Sequence, residues 1–210
     1  MIWANLNLKT GLKGAHMEPV NAILNFWFGV PGKTPSEYGQ LRQVWFKKDP
    51  AFDEIIRTRF QEHYERAAAD QLAHWRQAPK SCLALILLLD QFPRNMFRND
   101  PRSFATDTQA LAAAQGAIAQ AFDQQLLLVE RLFLYLPFEH SENLDHQNQC
   151  VNWISQLADQ HPGMESTLEY AVRHRDVIAR FGRFPHRNKI LGRATTPEEA
   201  EFLNQRGSRF

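Results

Sequence analysis

The sequence predicts an all-α protein, and three observations predict it. Side chains able to cap a helix stand directly before proline at Thr34-Pro35, Asp49-Pro50, Asp100-Pro101 and Thr196-Pro197. Such an oxygen accepts from the free N–H groups of a first helical turn, where proline has no donor to lose. Apolar residues recur at spacings of three and four along several stretches. No stretch alternates apolar and polar residues between hairpin turns, as half-buried strands do. Short connections between the stripes predict about eight to ten antiparallel helices, in an irregular bundle or a helical-hairpin solenoid. No sequence repeat of fixed period accompanies them.

The elements follow in chain order. Residues 1–16 read as a loose arm, and 17–210 as one helical domain. The first helical pattern follows Met17-Glu18-Pro19. Thr34 with Glu37 fits a capping box, in which each side chain satisfies the other's backbone N–H. After Asp49, the residues Phe52, Ile55, Ile56, Phe60 and Tyr64 form one stripe. CLALILLL, from Cys82 to Leu89, is apolar on every side and predicts a central buried helix. Thr106 to Phe122 is Ala-rich, with high helix propensity. Leu144, Val151, Ile154 and Ala158 make a further stripe, and Met164, Leu168, Ala171, Val172 and Ile178 another. Thr196 with Glu199 repeats the capping box. Pro93, Pro137, Pro162 and Pro185 are each expected to stop a helix, because proline lacks an N–H and crowds the carbonyl four residues back. Trp27, Trp45, Trp75 and Trp153 are expected between helices.

A 210-residue chain buries roughly 70% of its unfolded surface on folding, so it needs neither disulfide nor metal. Cys82 and Cys150 sit in apolar surroundings and read as small hydrophobes. No apolar run approaches the ~20 residues of a membrane span, and the N-terminus lacks a signal-peptide pattern, so the cytoplasm is expected. A net charge of +1 argues against nucleic-acid or membrane binding.

That charge is unevenly placed. RHRDVIARFGRFPHRNKILGR, residues 173–193, holds six arginines and Lys189 against one acid, Asp176. Gly182 is expected to end a helix there, and Phe181 and Phe184 to anchor the loop carrying Arg183, His186 and Arg187. Asp176 and Arg180 are spaced as a helical ion pair. Arginine forks suit carboxylate or phosphate groups. Two other blocks carry chemistry. In LALILLLDQFPRNMFRND, residues 83–100, Asp90 ends an apolar helix and needs a cation, for which Arg94 and Arg98 are close in sequence. In LYLPFEHSENLDHQ, residues 134–147, Glu139 and Glu142 flank His140, a candidate proton carrier whose pKa the carboxylates should raise. Ser141 is expected to cap the next helix. The block is a poor metal set, since Glu142 and His146 form its only pair at a spacing of four. No metal or cofactor is implied.

These three blocks, with ILNFWFG at 23–29 and TTPEEAEFLNQ at 195–205, resemble the bacterial domain-of-unknown-function family 924. The resemblance implies a tetratricopeptide-like, right-handed arrangement of helices and no established activity. The residues themselves suggest a polar pocket where the blocks converge. Arg94, Arg183 and Arg187 would bind a small anionic molecule there, with Asp90, Arg98, His174 and Asp176 around them. His140 or His186 would carry a proton, and Glu139 or Glu142 would orient it or act as base. The rival expectation is an interaction module that holds a peptide segment of a partner protein in a concave groove, without catalysis. On a third reading, the charged blocks only hold the fold together, as an internal ion network linking the basic loop to Glu139, Glu142 or Asp90.

Overall fold

The structure, a computed structural model, describes residues 18–33, 38–161 and 163–208. The expected arm at 1–16, the Thr34/Glu37 box and the stop at Pro162 lie outside them. Helix α1 covers residues 18–28. It is followed by α2 (Pro50–Ala68), α3 (Pro79–Ile86), a π-helical turn (Leu87–Gln91), α4 (Phe92–Met96), α5 (Asp107–Ala119), α6 (Leu128–Glu139), α7 (Leu144–Gln160), α8 (Glu165–Phe181) and α9 (Pro197–Leu203). No strand occurs among the described residues. The class is all-α, and no described helix is long and apolar enough to cross a membrane.

The caps form as local chemistry demands. Asp49 accepts from the backbone N–H groups of Ala51 and Phe52, at 2.9 and 3.2 Å, and starts α2. Thr196 and Glu199 form the reciprocal box at α9. Asp100 accepts from the Arg102 N–H at 2.8 Å, but what it starts is a 3-10 turn, Pro101–Phe104, rather than a full helix. The cap of α7 is Asn143, which accepts from Asp145 and His146. Ser141, the expected cap, instead lies 2.9 Å from His146 Nδ1. Gly182, at φ 68°, ends α8 in the left-handed conformation.

Helix α3 and the π turn form the centre. Every residue from Cys82 to Leu89 is buried. Helices α5 and α6 pack on α3, α2 on α4, α7 on α6 and α8 on α7. The aromatic side chains of Trp27, Phe92 and Phe133 close the core between them. Of the predicted stripes, only Ile55 and Leu144 are exposed. Cys82 and Cys150 are both buried free thiols.

Two prolines expected to stop helices lie inside them. α6 runs past Pro137 to Glu139. At Pro93, the run from Pro79 to Met96 continues because the backbone widens into the π turn, where the Phe92 N–H donates to Leu87 O. Proline offers no donor to the Leu89 carbonyl four residues back. The Thr106 hydroxyl supplies one instead, at 2.6 Å. Tertiary contacts thus replace the hydrogen bond that a sequence rule counts as lost.

Candidate functional site

The end of the central helix is where separated segments meet. Asp90, in the π turn, is completely buried. Its Oδ1 lies 2.7 Å from His140 Nδ1 and 3.3 Å from Arg94 Nη1. Gln91 Nε2 donates to its other oxygen at 2.5 Å. Arg94, one turn further along the helix, caps the Asp90 carbonyl at 2.6 Å. It also grips Asp107 with both Nη1 and Nη2, at 2.9 and 3.0 Å. Asp107 is the first residue of α5, where a carboxylate is favoured by the helix N-terminus. A second guanidinium, that of Arg187 in the turn after α8, reaches Asp107 Oδ2 at 3.3 Å. The rings of Phe104 and Phe184 lie 4.7 and 4.4 Å from its Cζ.

Helix α6 delivers Glu139 and His140 from its last turn. Glu139 Oε1 stands 3.3 Å from His174 Nδ1 of α8. That nitrogen is also 2.8 Å from the Tyr170 carbonyl, which fixes the proton on Nδ1. Gln147 of α7 donates to the carbonyls of Glu139 and Ser141 at 2.6 and 2.7 Å, holding the end of α6 in place. The side chains of Arg94, Asp107 and His140 are 19%, 21% and 14% exposed, so the cluster reaches solvent on their side.

Burial sets the protonation states. It pushes the Asp90 carboxyl up, but Arg94 and His140 outweigh it and hold the group below the ordinary range. Burial and Arg94 together outweigh Asp90 at His140, whose pKa falls rather than rises. The neighbouring carboxylate was the smaller effect. Burial, with Asp90 adding to it, pushes Glu139 up to about 8. Burial drives His174 and His186 down to about 3. At neutral pH, Glu139 therefore keeps its proton while the imidazoles are uncharged. The Glu139–His174 contact is one between neutral groups. Because Asp90 holds the proton on His140 Nδ1, Nε2 carries the lone pair.

The profile of a family described as "Bacterial protein of unknown function (DUF924)" matches residues 23–207. The chain belongs to this family. It is also similar to a solved structure, that of the protein of unknown function ATU0120 from Agrobacterium tumefaciens. The two share 40% identity over 88% of this chain and 96% of that one, with a TM-score of 0.74. A comparison with curated proteins returned no match.

Of the residues singled out in the sequence, Asp90, Arg94, Glu139, His140, His174 and Arg187 come together. His186 stands beside Phe184, with ring centroids 5.6 Å apart. The others are engaged elsewhere. Arg98 pairs with Asp53 at 2.5 and 2.9 Å, tying α4 to α2. Arg183 pairs with Glu199 at 2.6 and 2.9 Å and holds α9. Glu142 takes both ends of Arg193, at 2.8 and 3.0 Å, and accepts from the Phe184 N–H. Asp176 pairs with Arg175, and Arg180 with Glu198 instead of Asp176. The basic stretch is therefore largely neutralised by acids from other elements. Asp107, which joins the two arginines of the cluster, escaped the sequence reading. It stands at the start of an Ala-rich helix and looks like an ordinary first-turn acid.

Proposed function

We propose that this cluster is an acid–base centre for a small anionic ligand. His140 Nε2 is the base, oriented by Asp90. Glu139, protonated at neutral pH, is the acid. Arg94 and Arg187 attract and hold the anion. The reading is carried by the 2.7 Å contact between a wholly buried Asp90 and a partly exposed His140. A carboxylate behind an imidazole fixes its tautomer and leaves the other nitrogen for proton transfer. Titratable neighbours driven to opposite protonation states are a mark of acid–base sites. Hydrolysis of a carboxylate- or phosphate-bearing substrate fits these parts.

Successive packing of α6, α7 and α8 supports a tetratricopeptide-like arrangement. The continuous core from Val20 to Ala171 supports one domain. The experiment is a metabolite screen by thermal shift, on the wild type and on His140→Gln and Arg94→Gln variants, followed by turnover assays on the hits. Anionic compounds should stabilise the wild type, the Arg94 variant should lose that response, and the His140 variant should bind without turnover. Identical ligand profiles for wild type and Arg94→Gln would refute the site.

A further inference from the structure

Resting on that reading, we propose that the ligand is a monocarboxylate, bound in plane along the Nε edge of Arg187. Arg187 is buried, and its Nε has no hydrogen-bond partner among the described residues. A buried donor left unpaired is costly and points to a missing acceptor. Its ion pair at Asp107 is long, 3.3 Å, because both oxygens of that carboxylate are already taken by Arg94 at 2.9 and 3.0 Å. One internal carboxylate is thus shared between two guanidinium groups. Burial, with Arg94 beside it, lowers the Arg187 pKa to about 10, which is the electrostatic sign of an under-compensated cation.

The geometry selects the anion. Phe104 and Phe184 pack on Arg187, so further hydrogen bonds must come through the edge of the guanidinium. Two parallel N–H groups in one plane match the two oxygens of a carboxylate. A phosphate would present further oxygens to phenyl rings that offer no donors. Charge agrees with shape. Asp90 and Asp107 already offset much of the charge of Arg94 and Arg187, and Arg187 has only the shared Asp107. A carboxylate adds one negative charge to this buried place, whereas phosphate adds ~1.5–2 at neutral pH.

The test is isothermal titration calorimetry of the full chain at pH 7 and constant ionic strength, with sodium acetate, sodium benzoate, inorganic phosphate and sulfate as probes. Wild type is compared with Arg187→Lys and Asp107→Asn, each checked for folding by circular dichroism. Acetate or benzoate should bind at least about tenfold more tightly than phosphate or sulfate, and Arg187→Lys should weaken that binding by about tenfold or more. Asp107→Asn removes the competing internal carboxylate and should tighten it, a gain that misfolding cannot imitate. Phosphate or sulfate binding as tightly as the carboxylates would overturn the carboxylate assignment while leaving the anion site. So would carboxylate binding that is unchanged in Arg187→Lys, or not tightened in Asp107→Asn. Failure of all four anions to bind the wild type would overturn the anion site itself.

Discussion

Glu139 and His140 are neighbours in the chain and differ in what surrounds them. Glu139 is buried against a neutral imidazole, with the Asp90 charge nearby and no lysine or arginine paired to it among the described residues. Its folded pKa, about 8, lies above the ordinary 4.5. Between those values the folded protein keeps a proton that the unfolded chain has released, so stability falls as pH rises through that window. Glu139→Gln should therefore stabilise the protein at pH 9 by roughly 2–5 kcal/mol and give no such gain at pH 4. Urea melts of both proteins at both pH values measure this, and an equal difference at the two would contradict it. Arg183 behaves differently. Its bonds to Glu199 and to the Ala194 carbonyl hold α9, so Arg183→Ala should lower the melting temperature while leaving anion binding intact. Residue types were readable at this scale, as was Arg94 as a partner of Asp90 one turn away, but partners distant in sequence were not. Arg183 and Arg187 look alike in the sequence, and only the fold gives one to Glu199 and the other to Asp107.

The elements were legible wherever a local rule decides them. An aspartate before proline caps α2 because its oxygen reaches two N–H groups within three residues. Asp49→Ala should cost about 1 kcal/mol in a denaturant melt. Gly182 ends α8 for an equally local reason, and the wholly apolar run at 82–89 has no place but the centre. The π turn was not legible. It depends on Thr106, distant in sequence, donating to the carbonyl that Pro93 leaves without a partner. Thr106→Val should therefore destabilise the fold by about 1–3 kcal/mol, with a smaller penalty in a Pro93→Ala background that restores an N–H. Equal penalties in both backgrounds would show that the two residues are not coupled. This turn also places Asp90 and Arg94, so an element that propensity cannot predict is the one on which the site is built.

Across the whole molecule, the chain after α8 folds back over the cluster and is pinned by acids contributed from earlier elements. Glu142 holds the Phe184 N–H and Arg193, and Asp107 meets Arg187. Glu142→Ala should release this return, seen as faster hydrogen exchange at the Phe184 amide with little change at Leu85 in α3. The convergence of three distant blocks was anticipated from their unusual chemistry. An ion network reaching Glu142 was among the expectations, but that Asp107 of α5 and Glu198 and Glu199 of α9 would supply the other acids was not, because pairing at such separations is set by packing. The site depends on this convergence, and its most direct probe is His140. Nitrogen-15 NMR of the histidine side chains at pH 7 should show His140 neutral, with the proton on Nδ1, and its Nε2 signal should shift as acetate or benzoate is added. A His140 imidazole protonated on Nε2, or one indifferent to every anion that binds, would contradict the acid–base centre.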